Sequence, residues 1–505
     1  MISGKEIKVL DKNAEYFGVP TKQLMENAGK GIADFVIKTI KPKSKEIIIF
    51  CGIGNNGGDG FVAARYLCKL YNVTVFLTGK EDEIRTDISK ENFKKMKKTN
   101  TKIFDIRSIE RLDEIISGKK IIIDSMLGIG LSGSLREPYF SIVSKIRSLK
   151  DKIIISVDVP TGLCTDLAIK PDNTVTFHDI KTGMNKKNSG NIVVVDIGIP
   201  RKAIDFVGPG ELITYYPIPK KDTHKGENGV VLVVGGGPYI GAPAMSGFAA
   251  LRTGSDLAII TTPRKPAKAI TSYSKEFIKP LRLAKEIAVL SPNIIVKELS
   301  KEDIFVPEDI MIVEKYLSKA NSVVIGPGLG SENETKIAVE KAVKECVKLK
   351  KTMVIDADAI QVVGKKPEII KDSKCVITPH AGEFKELTNE KLNKNLENRK
   401  EVVKKWANKL GVTILLKGSI DIISNGKDLK LNDIHNQAMT VGGTGDVLAG
   451  IIGSLLSKKM EPFNAARVGA FINGSAGNTA FRKKSYGLIA TDIINEIPNV
   501  LKKYL

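Results

Sequence analysis

Short apolar runs alternate with amphipathic stretches along residues 1–213 of the chain. Continuous apolar runs of this length are typical of strands buried on both faces, whereas apolar residues three and four positions apart are typical of helices. The strand-like runs are EIIIF, NVTVFLT, KIIIDSML, KIIISVDV and NIVVVDIGIP, and the helical stretches are TKQLMENAGKGIADFVIKTI and DGFVAARYLCKLY. This alternation predicts a parallel α/β sheet with helices on its faces.

The alternation is interrupted by YYPIPKKDTHKGENG, a stretch rich in proline, lysine and glycine that is typical of a linker. Beyond it the strand-like runs are VVLVVGGG, SVVIGPGLG, TMVIDADAI, CVITPH and GVTILLKGS, and the helical stretches are TGDVLAGIIGSLLSK and NAARVGAFINGSAGNTAFRK. A chain of 505 residues is too long for one ordinary core. We therefore predict two α/β domains, residues 1–213 and 226–505, joined by a linker at 214–225.

The composition is that of a soluble globular protein, with 42% apolar and 27% charged residues. No apolar run approaches the roughly 20 residues that cross a bilayer, and the first residues lack the compact apolar segment of a secretory signal. Five scattered cysteines without a C-x-x-C pair favour reduced, mostly buried thiols. We expect a cytoplasmic protein without a membrane partner.

The formal net charge is +21 at pH 7, which raises the question of nucleic-acid binding. The lysines are dispersed and rarely alternate with aromatic residues, so a solvated surface rich in Lys and Glu is the favoured interpretation. A positive field also attracts small anionic substrates. We expect small-molecule partners and no nucleic acid.

A glycine-rich loop, CGIGNNGGDG, follows the first strand and precedes a helix. Gly52, Gly54 and Gly57 satisfy the G-x-G-x-x-G pattern, in which glycines allow a tight turn and the helix N-terminus presents N–H groups to a phosphate. The next strand ends in Thr78-Gly79-Lys80 rather than in the acidic residue that binds a ribose in dehydrogenases. The pattern favours a dinucleotide ligand without hydride transfer, and a turn with no ligand stays open.

Side-chain oxygens are concentrated near that loop. Asn55, Asn56 and Asp59 lie within it, and Asp124 and Asp158 stand at the ends of two later strands. Ligands of open α/β sheets bind beyond the carboxyl ends of the strands, so these groups are expected to converge. Such oxygens suit a hard cation or sugar hydroxyls, although each residue taken alone could simply cap a helix or turn.

The first domain resembles the NAD(P)H-hydrate epimerase family, in the order LMENAG, GIGNNGGDGFVAAR, DSMLGIGLSG, SVDVPTG and VTFHDIKTG. The resemblance implies a Rossmann-like three-layer fold. It also implies interconversion of the R and S epimers of NADHX or NADPHX, the hydrates formed when reduced nicotinamide takes up water at C6.

The same resemblance implies roles for individual residues. Asp158 would contact the substrate and act as the acid–base residue, and Lys181 matches a family lysine of open role. Asn56, Asp124 and Thr161 would hold a potassium ion, although many members have serine where Thr161 stands. The implied substrate contacts are Asn55, Asn56, Gly57, Gly58, Asp59, Gly128, Ile129, Gly130, Leu131, Ser132, Gly133 and Ser134.

The second domain contains NQAMTVGGTGDVLAG, in which a glycine turn leads into a helix near Asp446. Several backbone N–H groups there can face one anion, with a carboxylate beside them. This combination suits phosphoryl transfer to a hydroxyl, because the N–H groups stabilise the phosphoryl charge and the carboxylate accepts the proton. No G-K-[ST] follows, so this is not a Walker A loop. A flexible loop in which Asp446 caps the helix remains an alternative.

This domain resembles the NAD(P)H-hydrate dehydratases, which are members of the ribokinase-like superfamily, through HKGENGVVLVVGGGPYIGAPAMSGFAALRTG, VVIGPGLG, VIDADAI, TPHAGEF, LLKGS and GGTGDVLAG. The resemblance implies a ribokinase-like α/β fold. It implies phosphorylation of the C6 hydroxyl followed by loss of phosphate, which restores NADH or NADPH. Fusion to an epimerase favours ADP over ATP as the phosphate donor, with Mg²⁺ as the cofactor.

By that resemblance, Asp446 is the base that activates the hydroxyl. Ala242, Gly328 and His380 would line the pocket for the hydrate. The implied nucleotide contacts are Lys417, Gly418, Ser419, Ile420, Asp421 and Gly445, and the residues after Ser419 are less typical of the family.

The two implied activities are sequential, since hydration gives both epimers and the dehydratase accepts the S form. Two other readings remain open. One is a small-molecule kinase with an N-terminal regulatory module, which would make a stable phosphorylated product. The other is a dinucleotide-binding sensor or scaffold. We also expect a homo-oligomer.

Overall fold

The computed structural model describes residues 1–130, 133–277 and 293–505, and the chain forms two compact units, Met1–Ile204 and Asp205–Leu505. The patterning assigned residues 205–213 to the first domain. They belong to the second unit, because Val207 and Leu212 are buried in its core. Apart from this segment, the predicted limits of the domains and of the linker stay a prediction.

The first unit is built on a seven-stranded sheet in which every pairing is parallel. Its strand order is 3-2-1-4-5-6-7. Strands 2 and 3 are added on one side of strand 1, and strands 4 to 7 are added on the other side. All five strand-like runs form strands, and two further strands were not among them. The strands are β1 (Glu46–Cys51), β2 (Asn72–Leu77), β3 (Lys102–Asp105), β4 (Ile121–Ser125), β5 (Ile153–Val157), β6 (Asn173–Phe177) and β7 (Asn191–Val195).

Helices cover both faces of this sheet, as the Rossmann-like prediction requires. Ile47 and Ile49 of β1 belong to one buried cluster, whereas Ile48 and Phe50 belong to another, because successive side chains of a strand point to opposite faces. The three-layer prediction is confirmed. The helices are α1 (Gly4–Tyr16), α2 (Thr21–Phe35), α3 (Asn55–Leu67), α4 (Asp87–Met96), α5 (Leu112–Ile116), α6 (Tyr139–Ser148), α7 (Lys186–Ser189) and α8 (Arg201–Asp205).

The second unit contains a nine-stranded sheet. Its order is 10-9-8-11-12-13-14-15-16, and its last two strands are antiparallel to their neighbours. The antiparallel pair of strands 14 and 15 is joined by the turn within LLKGSIDIISNGK. The strands are β8 (Val230–Val234), β9 (Leu257–Thr262), β10 (Ile294–Glu298), β11 (Ser322–Ile325), β12 (Thr352–Ile355), β13 (Cys375–Ile377), β14 (Thr413–Leu416), β15 (Asp421–Ser424) and β16 (Leu429–Asn432).

The helices of this unit also pack on both faces of the sheet, and one of them is buried almost all round. Residues 447–457 are all buried, which explains why that helix is apolar on every side. The helices are α9 (Pro209–Tyr215), α10 (Ala242–Arg252), α11 (Arg264–Phe277), α12 (Ile310–Leu317), α13 (Asn333–Lys348), α14 (Asp358–Lys365), α15 (Ala381–Thr388), α16 (Leu396–Leu410), α17 (Thr444–Ser457), α18 (Pro462–Lys484) and α19 (Ala490–Tyr504).

Two sequence expectations concern the chain as a whole. Within the described residues, no helix has both the length and the apolarity to span a bilayer. All five cysteines are unpaired, as expected. Cys51, Cys346 and Cys375 are buried, but Cys164 is exposed, because it lies in the loop after β5 rather than in the sheet.

Candidate active sites

The glycine loop joins β1 directly to the first turn of α3. A side chain at Gly57 would overlap the carbonyl oxygen of Gly52, because the helix folds back tightly on the end of the strand. Gly54, by contrast, has open space where a side chain would lie. The turn therefore needs glycine at Gly57 for close approach of the backbone, as nucleotide-binding turns do.

The two asparagines of this turn differ in their environments. Asn55 is exposed and accepts a hydrogen bond from the hydroxyl of Thr86 at 2.7 Å. The carbonyl oxygen of Asn56 accepts one from the hydroxyl of Ser125 at 2.6 Å, which brings α3 to the end of β4. The side-chain Nδ2 of Asn56 is buried and has no hydrogen-bond partner among the described residues. An unpaired buried amide costs free energy unless a ligand satisfies it.

Asp124 lies at the end of β4 and is fully buried. Its Oδ1 accepts from the hydroxyl of Thr161 at 2.6 Å, and its Oδ2 accepts from the hydroxyl of Ser156 at 2.8 Å and the backbone N–H of Thr161 at 2.9 Å. The hydroxyl oxygen of Thr161 also accepts from the N–H of Leu127 at 3.0 Å. Burial raises the pKa of Asp124, although these hydrogen bonds oppose the rise. The structure thus brings two of the three predicted potassium ligands into direct contact.

Asp158 follows β5 with a left-handed backbone, φ 63°, which is a strained conformation for a residue other than glycine. Its Oδ1 accepts from the hydroxyl of Thr176 and the N–H of Phe177, each at 3.3 Å, and forms an ion pair with Lys181. Lys181 is buried and also donates to the carbonyl oxygen of Phe177 at 2.5 Å. The sequence left the role of Lys181 open, and the ion pair shows that it supports Asp158.

A cavity of about 530 Å³ is lined by Asn55, Asn56, Asp158 and Lys181, whereas Asp124 and Thr161 are not among its lining residues. Gly128, Ile129 and Gly130 line it, as predicted, whereas Gly133 and Ser134 are exposed and do not. Leu131 and Ser132 lie outside the described residues. Gly57 and Gly58 are buried beneath the turn rather than at the cavity surface. The polar lining residues are Lys8, Asp11, Thr21, Asn55, Asn56, Asp59, Arg85, Tyr139, Asp158, His178 and Lys181.

Sequence reasoning missed the contribution of α1 to this cavity. Gly4, Ile7, Lys8, Leu10 and Asp11 line it from one side. Asp11 is the acidic residue between Leu10 and Asn13, on the face of the helix that carries the buried side chains. The sequence feature that could have pointed to α1 is an acid on the apolar face of an amphipathic helix. Burying a lone carboxylate is unfavourable, so an acid at such a position suggests a function.

In the second unit, the glycine turn meets the start of α17. Gly443 has φ 95°, a left-handed conformation that favours glycine, and Thr444 is the first residue of the helix. Asp446 lies in the first helical turn, and its carbonyl oxygen accepts a hydrogen bond from the hydroxyl of Ser246 at 2.9 Å. The predicted anion site at a helix N-terminus and its carboxylate are therefore on one turn of α17.

Charged groups surround Asp446. Burial raises the pKa of Asp446 to about 7, and the negative charges of Asp356, Asp358 and Glu383 add to the rise, whereas Lys417 opposes it. A carboxyl group that titrates near neutrality can serve as a base at ordinary pH.

Lys417 is the cation of this cluster. Its Nζ lies 3.0 Å from Oδ1 of Asp356 and 3.7 Å from Oε2 of Glu383. A side chain at Gly445 would come within 3.4 Å of the same Nζ, so the ammonium group lies beside the start of α17. Burial alone would lower the pKa of Lys417, but the neighbouring carboxylates outweigh it and leave that pKa raised. A permanent positive charge therefore lies beside the predicted phosphate position.

The other predicted nucleotide contacts form the turn from β14 to β15. The N–H of Gly418 donates to Oδ1 of Asp421 at 3.0 Å, and Ser419 is exposed. His435, which the sequence did not single out, lies with its Nε2 3.0 Å from the carbonyl oxygen of Ser419. Ile420 packs against the hydrophobic core and is only partly accessible. The turn is thus tied to the loop before α17 through His435.

A cavity of about 600 Å³ opens beside Asp446. Ala242 and Gly328 line it, as predicted, together with residues 238–241, Met245, Ala357, Asp358 and Gly443. His380 is not among the lining residues. Its Nδ1 accepts from the N–H groups of Gly382 and Glu383 at 3.0 and 3.2 Å and so caps α15.

Comparisons with known proteins bear on each unit separately. Residues 230–499 match the model of the NAD(P)H-hydrate dehydratase family, and residues 21–183 match that of the YjeF-related protein N-terminus. A ribokinase-like superfamily protein of known structure from Enterococcus faecalis superposes with a TM-score of 0.50 at 24% identity, covering 59% of this chain and 96% of that one. The second unit therefore has a ribokinase-like fold.

Relatives match almost the whole chain. The bifunctional NAD(P)H-hydrate repair enzyme of Archaeoglobus fulgidus is 40% identical over 99% of this chain and 98% of that protein. Those of Methanocaldococcus jannaschii and Hyperthermus butylicus are 39% and 37% identical, again over 99% of this chain and 94% and 92% of theirs. The chain belongs to the family of bifunctional NAD(P)H-hydrate repair enzymes.

Proposed function

We propose that the first unit interconverts the R and S epimers of NADHX and NADPHX, and that the second dehydrates the S epimer at the expense of ADP. The observation that carries the proposal is that each unit matched by a family model has its own cavity with a carboxyl group placed for proton transfer. Asp158 serves in the first and Asp446 in the second. Small anionic dinucleotides also agree with the positive net charge.

Inversion at C6 of the hydrate requires that a bond at that carbon breaks and forms again, with protons given and taken. Asp158 can exchange a proton there because its carboxylate faces the cavity while Lys181 holds it in place. The glycine turn and the start of α3 suit the pyrophosphate of the substrate, since the first N–H groups of a helix are unpaired.

The first site fits potassium, because its donors are those of a hard cation. Asn56, Asp124 and Thr161 supply amide, carboxylate and hydroxyl oxygens, and the buried Nδ2 of Asn56 finds no hydrogen-bond partner in the part of the chain that the structure describes. Since the two ends of an amide can be exchanged, its oxygen can face a cation instead. The ion would supply a fixed positive charge beside the substrate.

In the second site, Asp446 accepts the proton of the C6 hydroxyl as that oxygen attacks the terminal phosphorus of ADP, and AMP leaves. Phosphate then departs from C6 with its bonding electrons while a proton is lost from C5, which restores the double bond of the reduced nicotinamide. The N–H groups around Gly443 and Gly445, with Lys417, stabilise the negative charge of the phosphoryl group.

Magnesium fits this site as a partner of the nucleotide. The described residues hold no cluster of three or more Asp, Glu, His or Cys side chains able to bind a metal. Mg²⁺ commonly takes one or two carboxylates and is otherwise held by phosphates and water. Asp356, Asp358 and Asp446 are the candidates, and the ion would neutralise phosphate charge.

The test is to supply the full-length protein with chemically prepared NADHX and either ADP or ATP, and to measure phosphate, AMP and reduced nicotinamide. We expect phosphate and NADH to form in equal amounts. We also expect ADP to be the preferred donor and AMP to be its product. A stable phosphorylated dinucleotide would instead favour a kinase, and absence of any turnover would favour a binding protein. A homo-oligomer stays a prediction, which sedimentation would test.

A further inference from the structure

The cavity of the first unit contains more acidic groups than the implied mechanism uses. Asp11 from α1, Asp59 from α3 and Asp158 after β5 all line it, and Lys181 is the lysine whose charge lowers the pKa of both Asp11 and Asp59. Asp158 forms the ion pair with Lys181. The other two carboxyl groups therefore share a cavity with an ionised carboxylate whose countercharge is already engaged, which disfavours their own ionisation.

Asp11 and Asp59 differ in position. Asp59 is the fifth residue of α3 and lines the cavity, and burial together with the charges of Asp158 and Asp11 raises its pKa well above its ordinary value. Asp11 is half-buried on a separate helix. Burial and the charge of Asp158 raise the pKa of Asp11 to about 6, whereas Lys181 and Lys12 oppose the rise. Asp11 is therefore the one of these two carboxyl groups whose pKa, about 6, lies close to neutral pH.

Two contacts fix α1 relative to the rest of the cavity. The N–H of Ile2 donates to the carbonyl oxygen of Ile180 at 2.8 Å, and the N–H of Thr182 donates to that of Ile2 at 3.0 Å, so the chain before α1 pairs on both sides of Lys181. Gly4, the first residue of α1, packs so closely on Ile129 that a side chain there would overlap it. The position of Asp11 is therefore set by the same loops that bear the predicted substrate contacts.

We propose that Asp11 is a second catalytic acid–base residue of the first site and works with Asp158 in the same cavity; this rests on the epimerase function proposed above. Protonated Asp11 gives its proton to the C6 hydroxyl, the C–O bond breaks, water leaves, and the N1 lone pair forms a double bond to C6. Water then adds to the other face, the electrons return to N1, and Asp158 takes the released proton. Solvent exchange resets both carboxyl groups.

The test compares Asp11→Asn with the wild type in the exchange of R and S epimers. ADP is left out, so that the second unit has no phosphate donor and does not consume the S epimer. We expect kcat to fall about 100-fold or more with little change in KM, because a general acid contributes roughly 10² to 10⁴ in rate. Asp11→Glu should recover part of the rate. The matched control is Glu15→Gln, which removes an exposed carboxylate one turn along the same helix.

The pH profile separates catalysis from mere positioning. The groups that face Asp11 come from its own helix and from three other segments. They are Lys8 and Lys12 on α1, Asp59 on α3, Asp158 after β5, and His178 and Lys181 after β6. If Asp11 is the acid, the wild-type rate falls as pH rises through about 6, and Asp11→Asn lacks that change. An Asp11→Asn rate within threefold of the wild type, or an equal loss in Glu15→Gln, would overturn the proposal.

The same experiments distinguish failure of the role proposed for Asp11 from failure of the proposed epimerase function. If the wild type exchanges epimers and Asp158→Asn does not, the epimerase function stands whatever Asp11→Asn does. If the wild type exchanges none, the epimerase function itself fails, and the role of Asp11 fails with it.

Discussion

At the scale of single residues, the carboxyl group of Asp446 is held where its own charge is unfavourable. Asp356, Asp358 and Glu383 surround it, and only Lys417 compensates. The sequence predicted Asp446 from its place after a glycine turn, because backbone N–H groups beside a carboxylate suit phosphoryl transfer. It did not predict the acids around it, since residues that follow two separate strands, β12 and β13, meet only in the folded chain.

The first prediction concerns pH and Asp446. Its pKa is raised from 3.8 to about 7, so the folded state binds a proton more tightly than the unfolded state, and this group's contribution to stability is lost as pH rises from about 4 to 7. Asp446→Asn should abolish dehydration of NADHX. At pH 8 it should also raise the free energy of unfolding by about 1–3 kcal/mol, because the variant no longer buries a charge. Denaturant unfolding at pH 5 and pH 8 checks this, since the gain should be clearly smaller at the lower pH.

A second prediction concerns the hydroxyl group of Thr161, which joins Asp124 to the N–H of Leu127. Thr161→Ser keeps the hydroxyl, whereas Thr161→Val removes it, so that Asp124 loses one hydrogen-bond donor and the N–H of Leu127 loses its acceptor. We expect potassium to stabilise the wild type and Thr161→Ser against heat, with at least about a tenfold weaker apparent affinity in Thr161→Val. The measurement is the melting temperature as potassium replaces tetramethylammonium. Equal potassium responses in all three proteins would contradict the ion site.

At the scale of elements, periodicity predicted the central strands and the helices that pack on them, because these are continuous apolar runs. In the first unit it missed β3, β6 and most of the contribution of α1. β3 has one exposed and three half-buried residues at the edge of the sheet, so its pattern is weak. α1 looks like an ordinary surface helix in sequence, and only its packing on Ile129 and the loop of Lys181 makes it part of a site.

A prediction at this scale concerns the turn between β1 and α3. Gly57→Ala would force a methyl group onto the carbonyl oxygen of Gly52, so we expect a loss of about 2–4 kcal/mol in the free energy of unfolding and loss of epimer exchange. Gly54→Ala meets open space and should cost less than about 1 kcal/mol. Denaturant unfolding of the two variants gives the comparison, and similar losses in both would count against the tight turn.

At the scale of the whole molecule, two units with separate cores hold separate cavities. Chain length and the restart of the α/β pattern predicted this division. Residues 205–213 could not be assigned from sequence, because a short apolar segment between two domains can pack on either one. The folded chain buries Val207 and Leu212 in the second core.

The two activities should therefore be separable on one chain. From a mixture of epimers with ADP, the wild type should convert all of the hydrate to NADH. Asp158→Ala should consume the S epimer and stop, and Asp446→Ala should make no NADH while the epimers still exchange. Chromatography of both epimers over time decides this. Loss of both activities in either variant, with normal unfolding, would contradict two independent sites.

The parallel strands also make the two ends of each sheet unequal. In both units the side chains with chemistry follow the carboxyl ends of strands, so the turns before the strands lie a strand length away, roughly 16 Å for five residues. Lys150 before β5 and Lys319 before β11 are exposed in such turns. A dye or a surface tether attached at either lysine should leave both reactions intact. These turns are therefore suitable attachment points for immobilising the enzyme as a cofactor-regenerating catalyst.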